Sequence, residues 1–206
     1  MANKTVYSKS KRFSKQKFED YLKTKFVDDY LRKNKDYFNS INSGIEDIFF
    51  GKEATEIYTD DTNIEQEDKI DICVKELGLQ KAWSSDNKQE IYFAIECKRI
   101  EILSDSKNYV LDIQKFADRE HTEFRLPFEG MMAFIENANL SHITLSKRIT
   151  ELLKATTTIS TSQHLSPIKL YATFDGSYMS SHNKNFDNSI FSIYHLLLDY
   201  STLVSD

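Results

Sequence analysis

Two short segments constrain this chain more than any other feature. Residues 69–75, KIDICVK, alternate strictly: Ile70, Ile72 and Val74 oppose Lys69, Asp71, Cys73 and Lys75. Residues 91–98, IYFAIECK, do the same, with Ile91, Phe93, Ile95 and Cys97 opposed to Tyr92, Ala94, Glu96 and Lys98. A period of two is the mark of a strand, and the turn-rich QKAWSSDNKQ between them predicts a hairpin. If that hairpin folds about residues 83–84, Asp71 stands opposite Glu96, close enough for their side chains to meet at about 5 Å. Glu96 and Lys98, two apart, share a face. Three charged groups then converge on one side of a sheet, where desolvating them needs compensation.

Helical spacing dominates the flanks. Phe18, Tyr21, Leu22, Phe26, Tyr30 and Leu31 recur at three and four residues, predicting helix over 13–50 with a break at NSINSG and a resumption at IEDIFF, residues 45–50. EATEIYTDD, residues 53–61, reads as the first strand, followed by the polar loop TNIEQED. After the hairpin, residues 104–120 have helical spacing through Tyr109, Val110, Ile113, Phe116 and Ala117, with Ser104 or Asp105 as the cap. EGMMAFIEN (129–137) predicts a strand, SKRITELLKA (146–155) a helix, and the Thr/Ser-rich stretch 156–166 a surface loop. IKLYATFDG (168–176) and IFSIYHLLLDY (190–200) predict paired strands joined by the polar SYMSSHNKNFDN. The expected organisation is one domain over 1–206, with a basic helical extension at 1–40 and an α/β core at 41–206.

Charge is unevenly distributed. Residues 1–35 hold eleven Lys/Arg against four Asp/Glu, while the whole chain carries 27 against 32, so a +7 arm is attached to a body of −12. Lys9, Lys11, Arg12, Lys15 and Lys17, interleaved with Phe13 and Phe18, suit a phosphate backbone or equally a solvated helix face. Fourteen Phe and eleven Tyr against five Gly and two Pro argue for a packed core rather than disorder. Cys73 and Cys97 fall in predicted strands without zinc-ligand spacing, which points to a reducing cytoplasm. The beginning, MANKTVYSKSKRFSK, lacks a signal peptide's apolar segment, and no run spans a bilayer.

Two carboxylates a few ångströms apart repel unless a cation lies between them. Mg²⁺ or Mn²⁺ fits that role, taking one or two carboxylates with water and substrate phosphate. Asp71, Glu96 and the backbone carbonyl of Cys97 would supply the protein's ligands. Lys98 would stand beside the ion, its pKa lowered by burial and by the metal, orienting or deprotonating a water. Metal-assisted phosphodiester hydrolysis is the reaction that fits. The plainer reading is a salt-bridged sheet face, with ion pairs worth under about 1 kcal/mol each.

The order helix, strand, strand with Asp71, strand with Glu96-Cys97-Lys98, helix, strand, over roughly residues 41–137, resembles the PD-(D/E)xK, or restriction-endonuclease-like, nuclease superfamily. Ile70 stands where the motif has its proline. The resemblance implies a central mixed sheet flanked by helices, Mg²⁺ dependence and cleavage of nucleic acid, DNA before RNA. It makes Asp71 and Glu96 metal ligands and Lys98 the catalytic lysine. It adds Glu46 as a helical acid, with Glu53 and Glu56 as rivals, and Gln114 as a site-facing residue on the following helix. NYVLDIQKFADREHTEFRLPFEGMMAFIENA resembles prokaryotic members found in phage defence or restriction, which implies a cytoplasmic enzyme with a partner protein or a second copy. The alternative is a catalytically idle binding or scaffold subunit on the same fold.

The remaining candidates are weaker. His121, His142, His164, His182 and His195 show no ligand spacing; His182 reads as a surface residue and His195 as a hydrogen-bonded core residue. Trp83 at the hairpin tip would be a stacking contact or an ordinary exposed aromatic.

Overall fold

In a computed structural model of the chain, residues 6–11, 17–41, 48–59, 64–76, 92–121 and 126–205 are described. The chain opens with β1 (Tyr7–Ser8), then α1 (Phe18–Lys25), a π turn (Phe26–Leu31), a 3₁₀ turn (Arg32–Asn34) and α2 (Lys35–Ile41). Two long strands follow, β2 (Ile48–Thr59) and β3 (Glu65–Glu76), and then β4 (Phe93–Ile100), α3 (Ser106–Asp118), β5 (Glu120–His121) and β6 (Phe128–Ile135). The last part comprises α4 (His142–Ala155), β7 (Thr161–Pro167), β8 (Ser177–Asn183), β9 (Ile190–Asp199) and β10 (Val204–Ser205). This is an α/β fold around a mixed sheet of eight strands, ordered β5-β2-β3-β4-β6-β9-β8-β7. The central pairs β4–β6 and β6–β9 are parallel and the remaining pairs of that sheet antiparallel. No helix among the described residues is long and apolar enough to cross a membrane.

Helices cover both faces, which is why β6 is apolar on both. Met131, Ala133 and Ile135 face Tyr109, Ile113 and Phe116 of α3 and Leu145, Ile149 and Leu153 of α4. Met132 and Phe134 face Phe18, Tyr21, Leu22 and Val27 from the N-terminal helices. The N-terminal segment is therefore tied down: Tyr7 is buried against Tyr200 with rings 6.0 Å apart, and β1 pairs in parallel with β10. Lys9 bonds Glu101 at 3.2 Å.

Several expectations shift. Residues 17–41 are helical in pieces, but Ile48–Phe50 already belongs to β2, and Tyr30 is 58% exposed rather than part of the core stripe. Strand β3 begins at Glu65, inside the expected polar loop. Asp105 does not cap α3; its Oδ2 turns back to accept the N–H groups of Glu101 and Ile102. The α4 helix starts at His142, capped by Ser141, whose Oγ accepts the Thr144 N–H.

The largest differences lie late in the chain. The expected loop 156–166 contains most of β7, residues 168–176 form no strand, and the expected polar connection holds β8. A polar sequence can make this inner strand because Ser180 and His182 join a hydrogen-bonded row, although the buried Ser177 hydroxyl at its start has no partner among the described residues. Tyr109 OH pairs with His195 Nδ1 at 2.9 Å, and His195 Nε2 with Ser180 Oγ at 2.8 Å. Ser180 Oγ in turn meets His182 Nε2 at 2.7 Å, and His182 Nδ1 meets Thr161 Oγ1 at 3.0 Å. One donor direction runs through this row without leaving a buried group unpaired. His182 is thus fully buried, not a surface residue. Burial pushes its pKa down to about 4 and that of His195 down to about 3.

Candidate active site at a strand fork

Strands β3 and β4 pair as Val74–Phe93, Cys73–Ala94 and Ile72–Ile95, the register that a turn centred on 83–84 requires. The ladder ends there. On the other side, β2 and β3 pair Lys52 with Ile72 and Ala54 with Ile70, skipping Glu53 and Asp71 between them. Glu53 has φ 51°, in the left-handed region that few residues other than glycine adopt. Alternation fails across this break: Ile72 packs with Phe50 and Cys97, while Ile70 joins Cys73, Tyr92 and Ala94 on the other side. The expectation that Ile70 and Ile72 share a face is therefore corrected.

Beyond Ile95 the edge of β4 is without β3, and unpaired backbone donors at such an edge are costly. Two carboxylates take them. Asp71 Oδ2 accepts the Cys97 N–H at 2.8 Å, and Glu19 Oε2, from α1, accepts the Arg99 N–H at 2.9 Å. Acids are thereby fixed along a strand edge by the backbone itself.

The alternate residues of β4, Glu96 and Lys98, point toward α3. The Glu96 carboxyl is pushed well up, first by burial and then by the Asp71 and Asp112 charges, with Lys98 opposing. Lys98 Nζ lies 2.8 Å from Asp112 Oδ2 and 3.7 Å from Glu19 Oε1. Burial alone would depress the Lys98 ammonium, but the Asp112 and Glu19 carboxylates outweigh it and the net shift is upward. The expected lowering of its pKa is corrected accordingly: the chain's own acids hold Lys98 as a cation.

Asp71, Glu96 and Lys98 are brought together as the sequence suggested. Glu46 lies outside the described residues, as do Trp83 and the hairpin turn. Glu53 is exposed beside Lys23, at 3.8 Å. Glu56 is buried elsewhere, accepting from the Tyr92 hydroxyl. Gln114 lines a separate cavity of about 700 Å³ with Tyr58, Arg119 and Asn185. It lies two positions from Asp112, and residues two apart on a helix do not share a face.

Three neighbours went unread in the sequence. Glu19 and Lys23 sit in a helix that looked like part of a basic arm, and Asp112, 3% exposed, sits on the buried face of α3. Their signal was a charge at a core-facing helical position. Lys23 is 3% exposed, with Nζ 2.6 Å from Asp71 Oδ1 and 3.3 Å from Asp20 Oδ1. Burial opposes its charge, yet the Asp71 and Asp20 carboxylates carry its pKa above the usual lysine value. A cleft of about 380 Å³ opens beside the cluster, lined by Lys17, Glu19, Lys98, Arg99 and Asn108.

As a donor set, two adjacent carboxylates and the Cys97 backbone carbonyl suit a hard divalent ion that keeps several waters. Glu96 resisting ionisation beside Asp71 marks a place where added positive charge would be stabilising. Among the described residues no three His, Cys, Asp or Glu side chains are grouped so that they could hold a metal ion. No protein-family model matches the sequence, and comparison with curated proteins and with solved structures finds no match.

Proposed function

We propose that the chain is a metal-dependent nuclease of the PD-(D/E)xK type, hydrolysing phosphodiester bonds with Mg²⁺ or Mn²⁺ and acting on DNA before RNA. The observation that carries this reading is the fork. Asp71 is anchored on the Cys97 N–H where β3 leaves β4, with Glu96 and Lys98 flanking that residue. Asp71, Glu96 and the Cys97 carbonyl would hold the ion, which when bound supplies Lewis acidity and a more acidic water. Lys98, kept protonated by Asp112 and Glu19, would bind a non-bridging phosphate oxygen and offset charge developing there. Asp112 holds that lysine from α3. A role for the protein in phage defence or restriction, with a partner protein or a second copy, belongs to the same reading.

A second reading keeps the fold and drops the chemistry. Asp71 is already paired with Lys23, and Lys98 with Asp112, within an acidic body. Such an arrangement suits a binding subunit that has no turnover, or one that needs a partner to open the site. Nicking of supercoiled plasmid in Mg²⁺ or Mn²⁺ separates the two. Cleavage by the wild type that is lost in Asp71→Asn, Glu96→Gln and Lys98→Ala supports the enzyme. Equal cleavage by all four chains would remove the site from the proposal, and no cleavage by the wild type in either metal favours the binding subunit.

A further inference from the structure

A lysine is an unusual residue to point from a core helix into a sheet. Lys23 follows buried Tyr21 and Leu22 on α1, and its side chain is 4% exposed. Its ammonium contacts three carboxylates: Asp71 at 2.6 Å, Asp20 at 3.3 Å and Glu53 at 3.8 Å. Unequal distances matter here. The ammonium sits on the Asp71 oxygen that the Cys97 N–H leaves free, and the other two acids lie farther from it, at 3.3 and 3.8 Å. One ammonium is shared among three carboxyl groups, and its nearest partner is the proposed metal ligand.

We infer that Lys23 is an internal cation that occupies the metal side of Asp71 and is displaced onto Asp20 and Glu53 when a divalent ion binds. This rests on the reading of Asp71 and Glu96 as metal ligands. The physical argument is competition for one oxygen. A divalent ion on Asp71 Oδ1 and an ammonium 2.6 Å from the same atom repel each other strongly in a site with little water. The lysine's flexible stem lets it rotate its charge without moving the helix. Asp20, one turn back on the same helix, and Glu53, held at the break in β2 by its left-handed backbone, are the acceptors within reach. In the metal-free chain the lysine and the Cys97 N–H hold the Asp71 carboxylate in one orientation, so the ligand is pre-formed; the same contact raises the metal concentration needed to fill the site.

The test is Mn²⁺ binding by titration calorimetry on the full chain, for wild type, Lys23→Met, Asp20→Asn and Glu96→Gln. Methionine matches the lysine stem without its charge, so Lys23→Met should bind Mn²⁺ at least about tenfold more tightly than wild type. Asp20→Asn touches no proposed metal ligand but removes the nearer acceptor, and should weaken binding severalfold. That second variant leaves the buried Lys23–Asp71 pair in place, so it reports even if Lys23→Met folds poorly. Tight binding by Lys23→Met alone, with none detectable in wild type, also supports the inference. Wild-type binding that Glu96→Gln abolishes, but that neither Lys23→Met nor Asp20→Asn alters, overturns the role of Lys23 and leaves the metal site standing. Mn²⁺ binding by none of the four chains, or equally by all, removes the metal site and the inference with it.

Discussion

Replacing His195 with glutamine should flatten the acid sensitivity of this fold, and the size of the effect follows from the buried row it belongs to. His195 is fully enclosed between Tyr109 and Ser180, with its pKa driven down to about 3; His182, beyond Ser180, is held at about 4. Both stay neutral in the folded chain at pH 5, whereas an unfolded histidine takes up a proton below about 6.5. The unfolded state therefore binds more protons, and stability falls as pH drops from 6.5 toward those folded values. Each unit costs about 1.4 kcal/mol per histidine, so between pH 7 and pH 5 each contributes a loss of about 2 kcal/mol. Glu96 works the other way, because a carboxyl with a raised folded pKa gains relative stability as pH falls toward its unfolded value. Comparing two chains that share Glu96 cancels this. Urea unfolding of wild type and His195→Gln at pH 7 and pH 5 should show the variant losing about 2 kcal/mol less over the interval, whatever its starting stability. Identical losses would mean that His195 is not held neutral by burial, and the account of β8 as a strand built on a hydrogen-bonded row would fail.

Asp112→Ala leaves Lys98 largely buried without its nearer acid and should cost about 3 kcal/mol in chemical unfolding, with Asp112→Asn milder. Tyr92→Phe removes a hydroxyl donating to the buried Glu56 side chain; a loss of about 1–3 kcal/mol by denaturant titration is expected. Gly176→Ala would place a Cβ 2.4 Å from the Leu197 carbonyl oxygen at the start of β8, so β9 must move; a thermal melt should show a destabilisation of about 1–3 kcal/mol.

What the sequence revealed of this molecule follows the visibility of its periods. Strands β3 and β4 were legible, with their register, because Ile72, Val74, Ile95 and Cys97 supply an unbroken apolar face on either side of a turn signal. The break at Asp71 was not, because it arises from the left-handed conformation of Glu53 on a different strand. Strand β8 was read as a connection because Ser180 and His182 fill inward positions that hydrophobic patterning assigns to aliphatics. Asp71, Glu96 and Lys98 could be picked out together since two of them share a strand and the third lies one hairpin away. Glu19, Lys23 and Asp112 reach them across long sequence separations, from helices whose charges looked like solvated surface. Local pattern carried the strands, and tertiary contact supplied the rest of the site.

The proposed ion would rest on the backbone-anchored Asp71, on Glu96 and on the Cys97 carbonyl. Crystals soaked in Mn²⁺ and measured at the manganese absorption edge address it directly. The expected result is an anomalous peak between the carboxylates of Asp71 and Glu96, in contact with the Cys97 carbonyl. A map with Mn²⁺ bound only elsewhere on the chain, while Asp71 and Glu96 keep their protein partners, would contradict it.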